Sequence, residues 1–288
     1  METTGGMLMI TARVAPFEEF GDCVILDNSI IEVVVSLSDL RLLRYGFRGK
    51  ENMLHLPENG WDGGHSLALL RDGLRVPVVP ENCGYEKTDM GVRFTGAVKG
   101  FSYGMEVRLN HGSSEIKIVH SVTNIGSTPV TLSLSAETHM EEGGLSVLPQ
   151  SQADTGDSPN RIVAIWPNTS MADPRILWGS EYILVQQAPM KPLKFGISAT
   201  KGWTACFNMG KLFLMRYPVF AREPYADRGC ALVAATCADY TLLSTRSPIV
   251  TLRPQETRSH SESWTLYAGV TCPPVEEWPV TETLRGLV

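Results

Sequence analysis

Val130-Thr131-Leu132-Ser133-Leu134-Ser135-Ala136-Glu137-Thr138-His139-Met140 decides how this chain is read. Side chains alternate between the two faces of a β-strand, so residues two apart share a face. Val130, Leu132, Leu134 and Ala136 therefore point one way, and Thr131, Ser133, Ser135, Glu137 and His139 the other. One face belongs to a core; the other offers hydroxyls, a carboxylate and an imidazole. Same-face neighbours lie roughly 6.5–7 Å apart, so Glu137 and His139 could flank one small polar ligand. An ordinary solvent face produces the same pattern.

The strand rhythm extends outward from this segment. Ile25–Leu37 is rich in Ile and Val with an Asp27-Asn28-Ser29 break that reads as a hairpin turn. Val92 and Phe94, then Met105, Val107 and Leu109, alternate with polar neighbours, and His111-Gly112-Ser113-Ser114 makes a turn before Glu115–Asn124. Short runs follow at Tyr182–Gln187, Lys194–Thr200, Lys211–Tyr217, Cys230–Thr236 and Ser261–Val270. Long segments of helical period are missing; Leu67–Leu74 could form a helical turn or two, and Pro149–Pro174 reads as a long loop. Strands at this spacing, joined by Gly, Ser, Pro and Asn, predict an all-β sandwich or barrel, and the absence of intervening helices disfavours a parallel sheet. No low-complexity linker divides residues 1–288, which are read as one domain.

With 43% hydrophobic residues the 288-residue chain can bury a substantial core. Its 25 basic residues are outnumbered by 31 acidic ones, for a net charge of −6, and no basic stripe appears, which argues against nucleic acid as a partner. The N-terminus lacks the charged and apolar regions of a secretory signal, and no apolar run approaches membrane-span length, so a cytoplasmic protein without a membrane partner is expected. The six cysteines are scattered without a Cys-x-x-Cys pair, which suggests neither zinc nor a redox dithiol. Gly-x-Ser-x-Gly, phosphate-cradling and His-x-x-x-His motifs are absent. No metal is expected.

Among the histidines, His120 shares parity with Ile116, Ile118 and Val122 and is expected in the core. His65 closes Trp61-Asp62-Gly63-Gly64-His65, where two glycines permit a tight turn that could present Trp61 and the imidazole at a rim. His55, His111 and His260 read as surface or turn residues.

Several segments taken together resemble the aldose 1-epimerase (galactose mutarotase) superfamily. Arg41 followed by Tyr45-Gly46-Phe47-Arg48-Gly49-Lys50-Glu51-Asn52-Met53-Leu54 resembles its N-terminal signature, and Thr128–Gly144 resembles the region of its catalytic histidine. Ser247–Glu256 leading into Glu262-Ser263-Trp264-Thr265-Leu266 is similar to its closing pattern, and Gly202-Trp203, Phe213 and Tyr225–Gly229 resemble an uncharacterised bacterial branch. The resemblance spans roughly residues 20–270. It implies a galactose mutarotase-like β-supersandwich, a carbohydrate ligand (mono- or oligosaccharide) in a concave sheet, and no cofactor. In that family a His protonates the ring oxygen while a Glu removes the anomeric hydroxyl proton. The match carries the acid role to His139 and sugar binding to Arg41, with Asn52, Trp61, His65, Glu137 and Asp227 as further binding candidates.

One position departs from the pattern. The strand expected to hold the base Glu reads Gly229-Cys230-Ala231-Leu232-Val233-Ala234-Ala235, without a carboxylate. Asp227, Asp239, Glu137 or Glu223 could substitute. Losing a general base removes a factor of about 10²–10⁴. The resulting expectation is a carbohydrate-binding protein with weak or lost epimerase-type isomerase activity, or else a non-catalytic sugar sensor or accessory protein.

Overall fold

The computed structural model describes residues 10–56 and 63–288. In chain order the strands are β1 (Thr11–Pro16), β2 (Asp22–Asp27), β3 (Ile31–Ser36), β4 (Leu42–Phe47), β5 (His65–Arg71), β6 (Leu74–Pro77), β7 (Glu81–Thr88) and β8 (Gly91–Val98). They continue as β9 (Phe101–Leu109), β10 (Ile116–Asn124), β11 (Val130–Glu141), β12 (Leu145–Pro149), β13 (Val163–Ile165), β14 (Ile176–Trp178) and β15 (Tyr182–Gln186). The last are β16 (Leu193–Ile197), β17 (Trp203–Asn208), β18 (Lys211–Arg216), β19 (Leu232–Thr236), β20 (Tyr240–Arg246), β21 (Val250–Leu252) and β22 (Thr257–Ala268).

These strands form two antiparallel sheets, as the alternating sequence predicts. The larger runs β1-β2-β3-β4-β5-β11-β20-β19-β16-β13, with β6 added to β5 and β21 to β11. The second runs β14-β15-β12-β17-β18-β22-β10-β9-β8-β7. Leu132, Leu134 and Ala136 of β11 are buried between the sheets with Leu67, Phe195 and Tyr45 from the same sheet and Phe94, Met105, Phe213 and Trp264 from the other. Each Leu, Phe or Met among them contributes about 1.5–3 kcal/mol through burial. Trp264 is fully buried, with Tyr45 and Phe213 rings at 5.5 and 5.2 Å.

One local expectation is corrected. The Leu67–Leu74 stretch is a hairpin of β5 and β6 turning at Asp72-Gly73, since β11 offers β5 a full ladder of partners and overrides its helical propensity. The chain also forms a C-terminal helix, Glu277–Leu284, too short for a clear sequence period. Val280 and Leu284 cover an outer apolar patch of Leu145, Val147, Leu184 and Leu214, and the Glu277 carboxylate accepts the N–H groups of Glu181 and Tyr182. No helix among the described residues is long and apolar enough to cross a membrane. The six cysteines are all free thiols.

Candidate functional site

β11 lies in the middle of the larger sheet, so its polar face becomes the floor of that sheet's outer side. Cross-strand pairing sets residues beside it in rows. One row is Ser66–Glu137–Ser244–Val233–Gly196, and the next is His139–Leu242–Ala235–Lys194. Arg246 lies opposite Ser135 on the same side. Over these rows opens a cavity of about 560 Å³, lined among others by Arg75, Glu137, Trp166, Lys194, Asp227, Val233, Ser244 and Arg246.

The polar face is far drier than an ordinary solvent face. From Leu132 to Met140 every residue is buried. Ser133 Oγ donates to the Ser247 carbonyl at 2.6 Å, and Ser135 Oγ lies 2.7 Å from Ser244 Oγ. Glu137, only 3% exposed, is gripped by the Arg75 guanidinium through both carboxylate oxygens, with Nε at 2.7 Å from Oε1. Such a fork is among the stronger hydrogen-bonded pairs because both bonds are charge-assisted. The β5–β6 hairpin thus brings Arg75 over the cavity wall.

A second ion pair closes the opposite side. Arg246 Nη1 lies 2.6 Å from Asp227 Oδ2, and Arg246 is buried, whereas the Asp227 side chain is 41% exposed. Asp227 sits in a turn where it and Arg228 both take left-handed backbone angles, φ 49° and 64°. Non-glycine residues adopt that conformation at an energetic cost, and such strain concentrates at functional loops. Lys194 extends from β16 with its ammonium 4.8 Å from the Trp166 ring centre, a cation–π contact. Burial, and then the nearby Arg246, hold the Lys194 ammonium below the ordinary lysine pKa; Glu137 and Asp227 act in the opposite sense.

The seven residues expected to bind or act on a ligand are distributed unevenly. Glu137 and Asp227 line the cavity. Arg41 and His139 meet at the backbone of Gly63-Gly64: Arg41 Nη1 donates to the Gly63 carbonyl at 3.1 Å, and His139 Nδ1 to the Gly64 carbonyl at 3.3 Å. The His139 ring packs edge-on to Tyr240 at 4.8 Å and is 3% exposed. It shares the face of Glu137 but is not among the residues that line the cavity. Asn52 is committed to the fold, accepting the N–H groups of Tyr45 and Leu54 and donating to the Leu43 carbonyl. Trp61 lies outside the described residues.

His65 is corrected outright. Gly64 does make the tight approach expected of it, with φ +60°, but His65 then turns inward and is fully buried between the sheets. Its Nδ1 lies 2.9 Å from Thr138 Oγ1 and its Nε2 2.8 Å from His120 Nε2, and His120 Nδ1 lies 2.8 Å from the Tyr103 hydroxyl. His120 is the satisfied core histidine its parity predicts. His260, expected at the surface, is also buried, with Nε2 2.7 Å from Thr245 Oγ1, whose single hydroxyl proton is donated to Glu262. Trp264 Nε1 donates to the other Glu262 oxygen at 2.9 Å. Desolvation, partly opposed by these two donors, pushes the Glu262 carboxyl up to about 7; it depresses His120 to about 3 and His260 to about 4. Burial, followed by the neighbouring histidines, also holds His65 well below the usual imidazole range. This network underlies the cavity floor without opening into it.

Arg75, Trp166, Lys194, Ser244 and Arg246 are the residues that sequence reasoning passes over. Period two in Tyr240–Arg246 places Leu242, Ser244 and Arg246 on one face, which was enough to find Arg246. Arg75 reaches the cavity from the hairpin, Lys194 from β16 and Trp166 from the residue after β13 at the far edge, and no local signal announces that convergence.

Neither a family model nor a curated protein matches the chain in sequence. Solved structures do match in shape. A candidate aldose 1-epimerase from Escherichia coli K12 superposes with a TM-score of 0.56 at 10% identity, over 90% of this chain and 99% of that one. A candidate mutarotase from Salmonella typhimurium gives 0.54 at 10% identity, over 93% and 96%. A TPR-domain containing protein from Parabacteroides distasonis gives 0.60 at 8% identity, over 96% of this chain and 57% of that one. At these identities the likeness is one of fold.

Proposed function

We propose that this chain, built on the galactose mutarotase-like fold, binds a carbohydrate in the cavity over its larger sheet and that anomer interconversion there is weak or lost. The observation carrying this reading is the composition of the cavity. It combines carboxylates, guanidinium groups, a serine hydroxyl and an aromatic ring, while the strand expected to hold a base presents Val233 to the wall. Sugars need many hydrogen-bonding groups together with an apolar surface, and Glu137, Asp227, Ser244 and Trp166 supply both. General acid–base catalysis needs a second titratable group opposite the first. Val233 supplies none, and Glu137 is already held by Arg75. His139 is covered by Tyr240 and takes no part in the cavity lining. The reading places the protein in the cytoplasm, as a sugar-recognising protein rather than an efficient isomerase.

A catalytic reading draws support from one geometric fact. Glu137 and His139 occupy successive same-face positions of β11, so displacement of Tyr240 would put a carboxylate and an imidazole beside one ring. Calorimetric titration with common monosaccharides, paired with NMR exchange spectroscopy of their anomers, separates these readings. Binding without accelerated exchange supports recognition alone. Accelerated exchange that His139→Ala abolishes, in a variant of unchanged fold, supports the isomerase. Absence of binding to every sugar tested rejects both.

A further inference from the structure

Resting on the carbohydrate reading, we propose that the ligand is a sugar carrying a single carboxylate, of the uronic acid class, and that Lys194 receives that carboxylate beside Trp166. Charge balance in the cavity carries the argument. Two of its cations are neutralised internally, Arg75 by Glu137 and Arg246 by Asp227. Asp72 lies on the exposed turn and is paired with Arg71. Lys194 is the remaining cation of the lining, and among the described residues no carboxylate lies within ion-pair distance of its ammonium. The three cations and three carboxylates of the lining balance in number, but because Asp72 pairs outward with Arg71, Lys194 is left as the cation of the lining without a carboxylate partner among the described residues.

The lysine is also held in place. Its backbone N–H donates to Thr169 Oγ1 at 2.7 Å, its carbonyl accepts from that hydroxyl at 2.6 Å and from the Trp166 N–H at 3.1 Å, and its ammonium rests on the Trp166 ring. A second observation points the same way. Arg246 is buried, yet its Nε has no hydrogen-bond partner among the described residues. Buried donors without partners are rare in folded proteins. One unneutralised ammonium matches a monoanion, and the fixed carboxylates of Glu137 and Asp227 oppose the second charge of a phosphate dianion. The aromatic surface next to the ammonium suits the apolar face of a pyranose.

The test measures affinity for D-glucuronate and D-galacturonate, for D-glucose and D-galactose, and for D-glucose 6-phosphate, using the full chain at low salt. We expect a uronate to bind about tenfold or more tightly than its neutral parent, in keeping with a charge-assisted hydrogen bond. That ratio should fall towards one in Lys194→Gln and persist in Lys194→Arg, with circular dichroism confirming that both variants are folded. Equal affinity for neutral sugars and uronates would overturn the carboxylate assignment while leaving the carbohydrate reading standing. Tighter binding of the phosphate, or a uronate preference that survives Lys194→Gln, would also overturn it. If no sugar of any kind binds, the carbohydrate reading fails, and this inference falls with it.

Discussion

Val233 is the residue at which the proposed loss of a general base can be tested. It is 1% exposed, lies beside Ser244 in the row that contains Glu137, and contributes to the cavity wall. A carboxylate placed there would have Arg246 and Lys194 among the cavity's cations to offset its desolvation. Val233→Glu is therefore expected to raise anomer exchange of any sugar that binds, by up to the 10²–10⁴ typical of one general base. Polarimetry on a freshly dissolved single anomer would detect the gain. A folded variant that still binds sugar without faster exchange would show that this wall position does not face the anomeric centre. Asn52 teaches the complementary lesson. Its residue type suits ligand binding, but its side chain bonds the backbone of Leu43 and Tyr45 within β4 and of Leu54 after it.

At the scale of elements, Gly63-Gly64 joins the ordered start of β5 to the residues around His139. An added Cβ at Gly64 would lie 2.5 Å from the Leu42 carbonyl oxygen and 3.2 Å from Arg41 Cγ, in a backbone conformation with φ +60°. Gly64→Ala should lose at least about 1–2 kcal/mol from the left-handed backbone alone, with the Leu42 contact adding to it. Urea denaturation measures this directly; an unchanged midpoint would mean that the loop relaxes without loss. This approach was legible in the sequence, because paired glycines before a strand mark a place where a side chain does not fit. So was β11 at the larger sheet's centre, since Val130–Met140 carries a strand period. The direction of His65 was not legible. Its parity within β5 depends on where that strand starts, and the Leu67–Leu74 composition did not reveal a strand. Nor was the burial of the β11 polar face, which depends on Arg75, Tyr240 and the Ser244 hydroxyl, contributed by other strands or the residues flanking them.

For the whole molecule, the buried network between the sheets makes stability depend on pH in a calculable direction. His120 and His260 have folded pKa values of about 3 and about 4 against an ordinary 6.5, and His65 is depressed as well. The unfolded chain therefore binds more protons at these sites, and their contribution, full above about pH 6.5, is lost as pH falls towards 4. Glu262 acts with the opposite sign. Its folded pKa of about 7 exceeds the ordinary 4.5, so the folded state retains a proton that the unfolded state releases. Its contribution is full below about pH 4.5 and is lost as pH rises through 7. Three histidines outweigh one carboxyl on the acid side, so stability should climb from pH 5 and level off near pH 7. Glu262→Gln removes the titration while keeping the shape: the amide oxygen can accept from Trp264 Nε1, and the amide NH2 then faces the Thr245 hydroxyl, which can accept as well as donate. Relative to the parent, the variant should gain about 1.4 kcal/mol per pH unit between about pH 4.5 and 7 and no more above that, read from urea midpoints at pH 5, 6 and 7. A difference that stays constant across that range would mean that Glu262 titrates alike in the folded and unfolded chains, and that its burial is relieved by a group other than Thr245 and Trp264.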